Sequence, residues 1–312
     1  MELYTFFGFM AILGESLKNF LKHGKLMASI TSLILSIHSL LFLANTFSIK
    51  PLLKDLITNA AFLQLTTPGT SQFAKLVTAV RQDLQVFAGL EWIFIVTTYV
   101  TSIFCAATTI LASGVTHRGI DISIKELLLR VVKSWKRPFI TFFYLTLFEL
   151  GYCFLTWATL IPLVLIFPDH VTLSAIIIFI PAVVFLCYLA VVWNLALVVS
   201  VLEEKCGIDA LGRAGVLVKG FKLSGVFLNI VFGIPSLVVI PGFRLANSEK
   251  STTIRLSVVL VMLNCLWLIK MFEFMAFTVF YYECKNNQGE KEIGSLEYTK
   301  LSTAEQVSAD IP

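Results

Sequence analysis

Six stretches of this chain are too long and too uniformly apolar to be faces of ordinary amphipathic helices. They run approximately over residues 26–47, 90–112, 139–167, 171–202, 223–243 and 256–282. A bilayer's hydrocarbon core is about 30 Å thick and takes roughly 20 apolar residues of helix to cross. Within it every backbone N–H and C=O must be satisfied inside the segment, which makes the spanning element a helix. The rest of the chain cannot clothe such blocks in water. Only 14% of the 312 residues are charged against 57% hydrophobic, whereas a soluble domain carries about 25% charged residues. The expected fold class is all-α, a polytopic transmembrane helix bundle of six spans within residues 1–284. The polar tail, residues 285–312, is expected to be disordered and cytosolic.

The spans differ in character. The third and fourth are longer than a bilayer needs and are separated only by Pro168, Asp169 and His170. This predicts a tight turn between two tilted helices, bent at Pro162 and Pro181. The fifth contains Gly233, Pro235, Pro241 and Gly242, a pattern that admits a broken or re-entrant helix. Between the first two spans, residues 48–89 form the longest connection. Its apolar spacing predicts two short helices flanking Thr66, Thr67, Pro68 and Gly69, too small for a core of their own. The six cysteines form no metal-binding pattern and share no loop, so small packing residues are expected and not disulfides. The first apolar block is too long for a signal core, and a retained signal-anchor is expected.

Orientation follows from basic residues. Of the 24 lysines and arginines, Lys270 lies inside a span. Sixteen of the others flank the side carrying both termini, and seven flank the opposite side. The positive-inside rule then places both termini in the cytosol of an endomembrane or plasma membrane. These charges adjoin apolar segments, so they imply lipid and not nucleic acid as the partner. Three basic amphipathic stretches recur, beginning at Ile12, Leu127 and Ala210, each ahead of a pair of spans. They predict three hairpins, each preceded by a cytosolic interfacial helix. In the second, Asp121 or Ser123 is suited to cap the start. Arg130, Lys133, Lys136, Arg137, Arg213 and Lys219 are then candidates to face anionic headgroups.

Ionisable groups inside a bilayer are costly and are the first candidates for function. Glu149 falls in the third span, Lys270 and Glu273 in the sixth, His38 in the first and Asn194 in the fourth. Lys270 and Glu273 share a helix face. Glu149 and Lys270 fall at similar depth, which predicts an interhelical ion pair. Two readings of the set stand: polar clamps that stitch the helices together, or a polar path for a small solute. Nothing points to catalysis. The chain has four histidines, none in an HExxH pattern, and neither a GxSxG nor a phosphate-binding glycine loop occurs. No catalytic, cofactor-binding or metal residues are expected, and no cofactor. Residues 298–301 (Tyr-Thr-Lys-Leu) fit a sorting pattern, and Cys206 and Cys284 sit where acylation is conceivable.

Trp193-Asn194 followed by VVSVLEEKCGIDALGRAGVLVKG over residues 198–220 resembles the hallmark of an uncharacterised plant family of multi-pass membrane proteins. The opening FFGFMAILGESLKNF over residues 6–20 is similar to that family's start. More distantly, the pattern is similar to the membrane domain beside some bacterial glycerophosphodiester phosphodiesterases. Ala214 stands where family members usually carry Ser. The resemblance implies six helices, no established activity and no catalytic residues. Together these readings predict a non-enzymatic scaffold or a protein of membrane organisation or trafficking. The alternative is a carrier or channel for a small solute.

Overall fold

The computed structural model describes residues 2–166, 171–248 and 251–287. Among them the chain is all-helical and has no strand. The order is α1 (Glu2–Lys22), α2 (Gly24–Leu65), α3 (Ser71–His117), α4 (Ile124–Ser134), α5 (Lys136–Ile166), α6 (Val171–Leu202), α7 (Gly207–Val218), α8 (Lys222–Ser248) and α9 (Thr252–Asn287). Six of them, α2, α3, α5, α6, α8 and α9, contain a segment long and apolar enough to cross a membrane. The chain is a multi-pass membrane protein by the length and composition of these helices. The expected turn at residues 168–170 and the tail from 288 onward lie outside the described residues.

Helices α1, α4 and α7 precede α2, α5 and α8, and so share one end of the bundle. They are not equivalent in their surroundings. On α1, Phe9 and Ile12 are buried in a cluster shared with α3, α6, α7, α8 and α9. On α7, Ala210, Ala214, Leu217 and Val218 are fully buried, and the Gly207 N–H donates to Thr141 Oγ1 of α5 at 2.9 Å. Exposed apolar residues remain on α1 (Met10, Leu17 and Leu21) and on α7 (Ile208 and Val216), and α4 has the same mixed character. Leu127 and Val131 are buried, while Leu129, Val132 and Trp135 are exposed. Its start is capped by Ser123, whose hydroxyl accepts the Glu126 N–H; Asp121 does not take that place.

Two glycines set close approaches at this end. Gly207 has φ +57°, a left-handed conformation that strains any side chain, and a Cβ there would lie 3.1 Å from the Tyr144 ring. A Cβ on Gly225 would sit 2.4 Å from Val191 Cγ1. That absence of a side chain is what lets α8 lie directly against α6. A second buried cluster joins Met27, Ile30 and Ile34 of α2 with Cys105 and Ala112 of α3, Leu127 of α4, and Met271 and Met275 of α9. Neither cluster includes a residue from 48–89.

Two expectations are corrected. The connection 48–89 does not hold separate short helices, because α2 continues through Pro51 to Leu65 and α3 already begins at Ser71. Residues 48–65 alone make about 27 Å of helix at 1.5 Å per residue. Lys50, Lys54 and Asp55 end the apolar run, but polarity does not end a helix. The paired extensions are tied by Asn59 Nδ2 donating to Asp83 Oδ2 at 2.8 Å. Only the 66–70 turn matches the expectation, with Gly69 at φ +92° and Thr70 accepting the Phe73 N–H. The fifth span is likewise unbroken, since α8 runs through Gly233 and Pro235. Pro235 donates nothing to the helix ladder, a single missing bond that membrane helices tolerate when neighbours pack against them.

Candidate functional site

Tight packing is confined to the part of the bundle nearest α1, α4 and α7. Where it stops, a cavity of about 630 Å³ opens between α3, α5, α6, α8 and α9. Each of four helices brings a polar or charged side chain to its wall: Glu149 from α5, Asn194 from α6, Asn229 from α8, and Lys270 with Glu273 from α9. These positions lie about 10–25 Å along their helices from the end that carries α1, α4 and α7, at 1.5 Å per residue. They therefore fall within the span of a hydrocarbon core.

Four of these groups form one continuous chain. Lys270 Nζ is 2.7 Å from Glu273 Oε2, one turn along the same helix. Glu273 is buried at 5% exposure, and its Oε1 accepts from Asn194 Nδ2 at 2.9 Å. The same amide nitrogen donates to Asn229 Oδ1 at 3.2 Å, and Asn229 Nδ2 donates to the Cys187 carbonyl at 3.0 Å. Helices α9, α6 and α8 are thereby fixed to one another through groups that would be costly to leave unpaired in lipid.

Glu149 stands outside that chain. The expected ion pair between Glu149 and Lys270 does not form: Lys270 is held by Glu273 on its own helix. Among the described residues Glu149 has neither an ion pair nor a hydrogen bond, and its side chain is exposed on the cavity wall. His38 does not reach the cavity. It is buried behind Trp267, stacked on that ring at a centroid separation of 3.4 Å, and its Nε2 has no hydrogen-bond partner among the described residues. Trp267 itself lines the cavity, as do Trp193, Phe142, Phe232 and Phe274. Sequence reasoning missed the aromatic wall and gave Asn229 no role. One signal was present: Asn264, Trp267, Lys270 and Glu273 recur every three residues along α9. Neighbours three apart share a face, so Trp267 leads to Lys270 and Lys270 to Glu273, whereas Asn264 has turned away to meet Ser39 of α2.

The basic residues expected to face lipid divide into two sets. Lys133, Lys136 and Lys219 are exposed. Arg130 pairs with Glu126 one turn back on α4, and Arg137 pairs with Glu204 at 3.0 Å. Arg213 is a correction, for its side chain is only 16% exposed and its Nε lies 3.6 Å from Glu203 Oε2. Glu203 also accepts the Tyr281 hydroxyl at 2.8 Å. Arg213 thus joins α7 to the end of α6, because α7 folds back against α6 and does not lie free on a headgroup surface. Nearby, His117 lies 3.3 Å from Glu15 and stacks on Tyr282. Cys284 is fully buried, which removes it from acylation. Among the described residues no group of three or more His, Cys, Asp or Glu is placed to hold a metal ion.

The chain belongs to a family described as a domain of unknown function (DUF8558), whose model matches residues 1–300. No curated protein and no solved structure matches it.

Proposed function

We propose that this protein is a membrane carrier or channel that takes a small solute into the cavity between α3, α5, α6, α8 and α9. One observation carries the reading. Glu149, Asn194, Asn229, Lys270 and Glu273, scattered over four helices in sequence, line a single cavity of about 630 Å³. That volume falls within the range of roughly 300–1,000 Å³ typical of small-molecule sites. Helix clamps alone favour mutually satisfied pairs without a void, and a void lined by an unpaired carboxylate is costly unless water or a ligand fills it. The carrier reading is therefore preferred over a scaffold role. The activity is binding and passage, not catalysis.

Three further features belong to this reading. The spans are taken as three hairpins, each introduced by a basic helix, with the exposed Lys133, Lys136 and Lys219 beside the second and third meeting anionic headgroups. Both termini are taken as cytosolic, on the asymmetry of lysine and arginine. The chain is taken as kin to the plant multi-pass family, on residues 193–220, and as resident in an endomembrane or the plasma membrane.

Cys187 tests the reading because it lines the cavity and is partly exposed. In a variant keeping Cys187 alone, charged membrane-impermeant thiol reagents should label it severalfold faster than Cys153 kept alone. Cys153 is exposed on α5 but absent from the cavity wall. Equal and negligible labelling of both thiols would sink the proposal.

A further inference from the structure

We infer, on the reading of the cavity as a solute site, that its occupant carries a positively charged nitrogen: an amine or quaternary ammonium group, free or as a lipid headgroup. The charge balance comes first. Three ionisable groups line the cavity: Glu149, Lys270 and Glu273. The Lys270 ammonium is committed to Glu273 at 2.7 Å, so the two cancel and Glu149 leaves the site with one excess negative charge. A carboxylate at this depth is stabilised by a cation far more than by the apolar walls around it.

The walls supply the second argument. Trp193, Trp267, Phe142, Phe232 and Phe274 present aromatic rings from α5, α6, α8 and α9 to the same space. Aromatic faces carry negative charge density and attract ammonium groups, and tryptophan does so best. An anion would find little there. Both protons of Asn194 Nδ2 are already donated, to Glu273 and to Asn229. One proton of Asn229 Nδ2 goes to the Cys187 carbonyl, and the charge of the one lysine is already balanced by Glu273. With its one cation balanced, the site offers an unpaired carboxylate and π faces, which is the chemistry of cation recognition.

The test uses the full chain with Cys187 as its sole cysteine, in phosphatidylglycerol nanodiscs, alkylated by neutral N-ethylmaleimide. Tetraethylammonium should slow the reaction in a saturable way, whereas propanesulfonate should not. Glu149→Gln should raise the half-protecting concentration about tenfold or more, as expected for loss of a charge-assisted contact. Glu149→Asp should retain most of the protection. Lys270→Met should lower the half-protecting concentration of tetraethylammonium, because it leaves the Glu273 carboxylate without its cation and adds a second negative charge to the cavity. Circular dichroism and gel filtration check that each variant is folded. Phosphatidylcholine nanodiscs form the second arm: protection there without any soluble cation assigns the headgroup as the source and supports the same chemistry. Protection by propanesulfonate equal to that by tetraethylammonium would overturn the inference, as would loss of protection in folded Lys270→Met or no effect of Glu149→Gln. If Cys187 resists alkylation under every condition, the cavity reading itself fails, and that result is distinct from failure of the ligand class.

Discussion

Glu203 gathers more contacts than any sequence rule would assign to a carboxylate at the end of an apolar run. Its oxygens face the Tyr281 hydroxyl at 2.8 Å, Arg213 at 3.6 Å and Lys205 at 3.9 Å, and Lys285 Nζ donates to the same Tyr281 hydroxyl. Glu203 and Arg213 are both largely buried, so removing either strips the other charge of a close partner in a poorly solvated place. Glu203→Ala and Arg213→Ala should each cost about 3 kcal/mol. The double variant should cost less than their sum, measured as unfolding in detergent. The sequence announced these residues only as part of a stretch resembling a family hallmark. It suggested lipid for Arg213, because a charge beside a span normally points outward and only packing turns it in. Gly225 gives a second residue-scale prediction. Gly225→Val forces atoms into Val191 across the α6–α8 contact and should cost about 1–3 kcal/mol by overpacking. A thermal shift no larger than that of a lipid-facing substitution such as Leu150→Ala would contradict it.

At the scale of elements, the existence of six apolar helices was legible in composition, since about 20 apolar residues in a row have few other fates. Their ends were not legible. Lys50 and Lys54 close an apolar run without closing α2, and Ser71 opens α3 well before its apolar part begins. Proline misled in the same way at Pro235, because a long helix held by neighbours tolerates a missing ladder bond. The paired extensions of α2 and α3 contribute nothing to either buried cluster. Joining Asn59 directly to Asp83 through a short glycine-rich turn is feasible because their side chains already meet at 2.8 Å. The shortened protein should keep its melting temperature and its Cys187 reactivity. Loss of folding would instead give the extensions a structural role that their burial does not indicate. On α4, Ser123→Ala removes the cap on the Glu126 N–H and should cost about 1 kcal/mol. Hydrogen exchange should register this as faster exchange confined to α4.

For the whole molecule, function turns on which helices face each other, and that is the least legible property of an apolar sequence. Glu149 and Asn194 each announce themselves as polar residues in a span, yet nothing in α5 or α6 states that both look into one cavity. The pairing of Lys270 with Glu273 was available from spacing alone; their connection through Asn194 and Asn229 to α6 and α8 required the fold. The aromatic wall was invisible for the same reason, since 13% of the chain is aromatic and rings facing lipid look like rings facing a ligand. The central claim is that these side chains surround a water-filled space within the membrane. Spin labels placed singly at Ser236, on the cavity wall, and at Phe154, an exposed α5 position off that wall, test it directly in nanodiscs. The label at Ser236 should relax readily with a water-soluble nickel complex, and the label at Phe154 with oxygen dissolved in lipid. If both labels respond to oxygen alone, the space is filled with lipid or closed, and the account of a solute cavity is contradicted.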